Sequence, residues 1–120
     1  SLNVVDSHFS LHCYSGALAV ALGAFGAHGL KKRVADVKLL ETWDTASRYH
    51  LIHSLLGVVA SCGILNTSSS RASTLCLWGN GLFAGSLYAL VLTGVKKLGA
   101  ITPIGGLLYI AAWISLGMLK

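Results

Sequence analysis

Four long stretches without a single Asp, Glu, Lys or Arg divide this chain, and they constrain its fold more than any other feature. They cover residues 7–30, 49–70, 72–95 and 98–119, with lengths of 24, 22, 24 and 22. A membrane-spanning helix needs about 20 mostly apolar residues to cross ~30 Å of hydrocarbon. Each stretch therefore fits one crossing, and none fits two. Charged residues make up 11% of the 120 positions and hydrophobic ones 54%, whereas an ordinary soluble domain carries about 25% charge. A soluble globular domain is excluded, because its buried helices are shorter and keep a polar face. Disorder is excluded by the high hydrophobicity. A transmembrane barrel needs alternation over ~10-residue strands, and a run such as Gly16-Ala-Leu-Ala-Val-Ala-Leu does not alternate.

The fold class expected is all-α: a polytopic membrane protein with four transmembrane helices in an up-down bundle. The spans fall at about residues 11–29, 49–65, 73–95 and 103–119, after an N-terminal tail at residues 1–10. The loops on one side would hold Lys31, Lys32, Arg33, Lys38, Arg48, Lys96 and Lys97, and the terminal side only Arg71 and Lys120. By the positive-inside rule the first set faces the cytoplasm of a bacterium or the matrix of a mitochondrion. The net charge of +5 thus reads as topology, not as a nucleic-acid footprint.

Helix ends are legible as well. Gly29 and Gly94 suit left-handed C-terminal caps, and Thr102-Pro103 suits an N-cap followed by proline at the first helical position. Asp36 can cap a helix that begins outside the membrane. Its first part, about residues 36–48, spaces Val37, Leu40 and Trp43 by three, the pattern of a short interfacial helix. Asp44 and Arg48 are ordered for a helical ion pair. Small residues line faces of the spans: Gly16, Ala19, Gly23 and Gly26 in the first, Ser54, Gly57 and Ser61 in the second, Gly81, Gly85 and Ala89 in the third. Such strips are how membrane helices approach one another. The first helix has few large apolar residues and is expected at the centre of the bundle. Gly29-Leu-Lys-Lys and Gly94-Val-Lys-Lys repeat at an offset of 65 residues, which a tandem duplication or small-residue bias would explain.

Chemistry has few candidates. His28, His50 and His53 would lie near the basic side, and three imidazoles can hold a transition metal, contact a quinone or haem, or pass protons. The plainer reading has His28 bonding carbonyls at a helix end and His50 at headgroup level with Tyr49. No carboxylate falls inside a span. Cys13, Cys62 and Cys76 fit no paired-cysteine motif and read as small buried thiols, with a Cys62–Cys76 disulfide as the lesser reading. Asn66-Thr-Ser matches a glycosylation acceptor that abuts the membrane. Asn80, inside a span, needs a hydroxyl or carbonyl partner on a neighbouring helix.

Several strings occur together in order: Gly23-Ala-Phe-Gly-Ala-His-Gly-Leu30, Trp43-Asp-Thr-Ala-Ser-Arg-Tyr-His-Leu-Ile-His-Ser-Leu55, Gly85-Ser-Leu-Tyr-Ala-Leu-Val-Leu-Thr-Gly94, and Leu98-Gly-Ala-Ile-Thr-Pro-Ile-Gly-Gly-Leu-Leu108 followed by Trp113. This pattern resembles the transmembrane protein 256 family, small proteins of bacterial inner membranes and mitochondria. The resemblance marks Gly23, Gly26, His28, Gly29, His50, His53, Ser86, Tyr88, Gly94, Thr102, Pro103, Gly105 and Gly106, and it supplies no mechanism. The glycine-rich faces, short loops and lack of a soluble domain to do chemistry point instead to a non-catalytic accessory or structural subunit of a larger mitochondrial inner-membrane, respiratory-type complex, with both termini on the intermembrane-space side by the basic asymmetry; the alternative location is a bacterial inner membrane. The expected partners are lipid and other membrane subunits, with no cofactor and no nucleic acid. Two other functions stay open: a small transporter or channel, and a quinone-, haem- or metal-binding protein using His28, His50 and His53.

Overall fold

The computed structural model describes the path of residues 2–63 and 69–119, and side chains from residue 7. All regular structure among the described residues is helical. Helix α1 spans Leu2–Ala27, α2 Val37–Ser61, α3 Ser70–Thr93 and α4 Thr102–Gly117. Short 3-10 turns, Leu30–Lys32 and Lys96–Ala100, lie in the first and third connections. The residues read as an N-terminal tail instead continue α1 outward from residue 11 to Leu2.

Among the described residues, three segments are long and apolar enough to cross a membrane: Ser7–Lys32, Ser70–Thr93 and Lys96–Gly117. The fourth candidate, α2, is 25 residues long, so length is not what separates it. Its first turns carry Lys38, Glu41, Asp44 and Arg48, and its second half buries His50, His53, Ser54 and Ser61. The helix is one of the two inner ones, and its buried polar groups face its neighbours. It contacts both α1 and α3, whereas α1 rests almost wholly on α2, and α4 on α3. This corrects the expectation of a central α1. The small residues of α1 line only one side, and Leu11, Leu18 and Val20 on the other are exposed.

Adjacent helices run antiparallel, and their small residues set the register. Along α1 and α2, a Cβ added to Gly23 or Gly16 would sit in ordinary contact with Ser47 or Ser54, at 3.6 and 3.7 Å. At the ends of the same seam the fit is closer. A Cβ on Gly26 would collide with the Trp43 indole, and one on Gly57 with the His12 ring. Along α3 and α4 the partners are Gly79 with Tyr109, Gly105 with the backbone of Leu82 and Phe83, and Ser86 with Thr102.

The expected interfacial helix is not separate. Asp36 caps α2, its carboxylate accepting from the Lys38 amide at 2.9 Å, and the helix continues unbroken to Ser61. Trp43, read as an interface residue, is 2% exposed and forms a core with Leu30 and Val91. Arg48 donates to Asp44 at 2.6 Å, and this bond, with the attraction of the carboxylate, raises the guanidinium pKa above its usual value.

Other caps differ. Gly94 adopts φ +74° at the end of α3, the left-handed conformation a cap glycine provides. Gly29 is right-handed, with φ −66°, because the chain enters a 3-10 turn there; its missing side chain instead leaves room for Phe25. The two glycines of the proposed repeat thus do different work. Thr102 is already helical, with Pro103 beside it, and its hydroxyl pairs with Ser86 at 2.6 Å in place of capping.

Helix α3 holds a π-helical segment, Asn80–Ala84, between Ser70–Gly79 and Gly85–Thr93. One extra residue per turn advances every later side chain by about 100°. A strip projected at 3.6 residues per turn is therefore misplaced across it. Gly81 meets nothing within 4 Å, and Gly85 only the Asn80 carbonyl at 3.9 Å. Neither packs another helix of this chain, and Ala89 is half-buried. In α4, Gly105 makes the close approach, while Gly106 has ordinary contact with Phe83 at 3.8 Å. Cys76 is buried with Leu56 and Ala112, whereas Cys13 and Cys62 are exposed, and all three are free thiols. The Asn66 acceptor and the end of the second expected span lie outside the described residues.

Candidate functional site

A polar residue inside an apolar bundle must find its partner there, since lipid offers none. Six of the polar side chains around α2 meet this demand through one connected seam. His50 lies between two hydroxyls, Nε2 at 2.9 Å from Ser15 and Nδ1 at 3.0 Å from Tyr88. Ser15 and Ser54 are 2.8 Å apart, and Ser54 donates to the His50 carbonyl at 2.8 Å. Asn80 donates its amide to Ser54 at 3.3 Å and accepts from the Tyr109 hydroxyl at 2.7 Å. Six side chains from all four helices are linked.

The proton positions follow by elimination. Ser54 has one hydrogen, and the His50 carbonyl can only accept it. Ser54 therefore accepts from both Asn80 and Ser15. That uses the Ser15 hydrogen, so Ser15 accepts from His50 Nε2–H. His50 thus carries a hydrogen on Nε2, and in the neutral ring Nδ1 is the acceptor to which Tyr88 donates.

His53 has the opposite tautomer. Its Nδ1 faces the Tyr49 carbonyl at 2.7 Å, which can only accept. Its Nε2 faces the Trp113 indole N–H at 3.0 Å, which can only donate. The ring stacks on Tyr109 with centroids 3.6 Å apart. Both nitrogens are consumed, and the ring is a spacer between α2 and α4.

A second group lies toward the amino-terminal end. His8 Nδ1 and His12 Nε2 each lie 2.9 Å from the Ser73 hydroxyl. At most one of these nitrogens accepts, because serine has a single hydrogen. His12 is fully buried on the Gly57 backbone, and its Nδ1 has no hydrogen-bond partner among the described residues.

The three histidines expected as a cluster are therefore not gathered around one point. His28 is exposed after the end of α1, and His50 and His53 each spend both nitrogens on fixed partners. Among the described residues no three His, Cys, Asp or Glu side chains are placed to hold a metal ion. The sequence reading missed His8, His12, Ser15 and Ser73. A signal was available: residues 8, 12, 15 and 19 step by four, three and four, a polar-to-small stripe on the face of α1 that carries Gly16.

A family profile described as "Protein of unknown function (DUF423)" matches residues 22–106, which takes in the seam from α2 to the start of α4. The chain belongs to this family. Its relatives match over most of the chain. The UPF0382 membrane protein YwdK of Bacillus subtilis is 45% identical over 108 residues, 87% of each chain. The UPF0382 membrane protein of Haemophilus influenzae is 36% identical over 113 residues, 92% of this chain and 90% of its own. The UPF0382 membrane protein C1782.12c of Schizosaccharomyces pombe is 39% identical over 107 residues, 85% and 91% of the two chains. No solved structure matches. This is a membrane protein of a family found in bacteria and in yeast, so the resemblance holds at the level of a small membrane family. The relatives carry the UPF0382 name, not the transmembrane protein 256 name.

Proposed function

We propose that this protein is a non-catalytic, four-span structural subunit that packs against other membrane proteins, in a bacterial inner membrane or its mitochondrial counterpart. The observation that carries this reading is the use made of the seam. Of the hydrogen bonds along Tyr88, His50, Ser15, Ser54, Asn80 and Tyr109, all but the one from Ser54 to the His50 carbonyl join one helix to another. Both ring nitrogens of His50 are engaged by these partners, so the histidine of the seam has none free to offer a substrate. The bacterial relatives favour the first location, and kinship with the transmembrane protein 256 family would extend the role to the second.

Support for a partner comes from α3. Gly81 is exposed and a side chain there would meet nothing within the chain, so another helix can approach at that point. In a mild-detergent extract the wild-type chain should migrate on a native gel in an assembly larger than its own micelle. Gly81→Leu should release it while leaving its thermal unfolding unchanged. Migration of the wild type as a lone 120-residue chain would end the reading.

The four-span topology makes its own prediction. In a cysteine-free background, Asn3→Cys and Lys97→Cys should label from opposite sides of sealed vesicles, because the basic loops face inward. Labelling of both from one side would leave only the three apolar segments as spans.

A further inference from the structure

The end of the bundle that carries the basic loops holds a cleft of about 560 Å³ between the end of α1 and the first turns of α2. Volumes of this size are typical of ligand sites. The cleft exists because α1 presents Gly23, Gly26 and Ala27 where larger residues would fill it, while α2 presents successive turns of one face. Its inner wall is apolar, with Trp43 buried behind it and Val37 and Leu40 on the α2 side; Val37 is 64% exposed. Four charged side chains also line it: Lys31 from the 3-10 turn, and Glu41, Asp44 and Arg48 from α2. Two are cations and two are anions, so the lining charges cancel. Arg48 is held by Asp44, and among the described residues Lys31 and Glu41 have no ion-pair partner.

We propose that this cleft binds a phospholipid whose headgroup carries both a phosphate and a primary ammonium, of the phosphatidylethanolamine type. The phosphate would sit between Lys31 and Arg48, the ammonium would donate to Glu41 and Asp44, and an acyl chain would run down the apolar wall. Charge complementarity selects this occupant. Basic pockets at membrane surfaces take purely anionic lipids, but here the lining charges already cancel, so an anionic headgroup would leave a net negative charge and give Glu41 no cation. A choline headgroup has the right net charge, yet its quaternary nitrogen has no N–H to give. The inference rests on the membrane position of this end of α1, and not on the proposed role as a subunit.

The test uses the purified full-length chain, so a missing partner protein does not affect it. Micelles are supplied with palmitoyl-oleoyl phosphatidylethanolamine, phosphatidylcholine and phosphatidylglycerol at equal mole fraction, and retained lipid is counted by native mass spectrometry. Ethanolamine lipid should be retained about tenfold over either competitor, the effect of one charge-assisted hydrogen bond. Lys31→Gln should weaken retention of every lipid. Glu41→Lys should reverse the order in favour of phosphatidylglycerol, and Glu41→Gln should abolish the preference if the lysine variant does not fold. Both side chains are exposed, so thermal unfolding should be unchanged. Equal or greater retention of phosphatidylglycerol by the wild type would overturn the proposal, as would an unaltered order in folded Glu41 variants.

Discussion

Gly105→Ala should destabilise the bundle by ~3 kcal/mol or more, the top of the range for over-packing. The added methyl would land on the backbone of Leu82 and Phe83, within the π-helical segment of α3. A side chain in the way can rotate, but a backbone amide moves only if its helix does. Moving α3 would also carry Asn80 away from Ser54 and Tyr109, and Ser86 away from Thr102. Gly81→Ala is the matched control. It lies in the same π segment but faces open space, so it should be neutral or stabilise by up to about 1 kcal/mol through helix propensity. Unfolding in mixed micelles with rising dodecyl sulfate would compare the two. Similar midpoints for both variants would show that α3 and α4 do not approach as closely as described.

That contrast also shows where the sequence is informative and where it is not. The charge-free windows set the helix count and approximate limits, because a charge inside hydrocarbon is costly and the pattern needs no knowledge of neighbours. The α2 stripe, from Ser47 through His50, Ser54 and Gly57 to Ser61, was legible in part because it keeps a regular step of three or four. The Gly81-Gly85 strip obeyed the same rule and still faced outward, since the π turn between its members changes the phase. Nothing in the composition marks such a turn beyond the cluster Gly79-Asn-Gly81.

The alternative of a histidine cluster meets a different obstacle. That grouping rested on depth in the membrane, and depth does not say which way a ring points. His50 and His53 are three apart yet bind hydroxyls of α1 and α3 in one case and the α4 indole in the other. That partition depends on the azimuth of α2 against three neighbours, which no local spacing records. Asn80 was the better-posed case. Any intramembrane amide needs partners, and this one found them on two helices.

Trp43→Ala should cost about 3–5 kcal/mol, the usual penalty for emptying a large buried aromatic site. The indole is where three helices meet. Its N–H donates to the Leu22 carbonyl of α1 at 2.7 Å. Its ring packs edge-on to Phe25 with centroids 5.6 Å apart and lies 4.7 Å from Tyr88 of α3. Leu30 and Val91 complete the core around it. Lipid would not drive α1, α2 and α3 back together around the void, because hydrocarbon chains satisfy apolar surface as well as another helix does. The loss is therefore mainly lost contact, and Tyr88, the donor to His50, loses its support with it. Trp43→Phe separates the two contributions. It keeps most of the ring contact and removes the indole donor, and the Leu22 carbonyl retains a lone pair for its own helix, so the cost should be near 1 kcal/mol. An interfacial anchor would behave otherwise, since a tryptophan at headgroup level is held by the membrane and not by the bundle. Near-equal, small losses for both variants in detergent would mean that Trp43 does not join these helices.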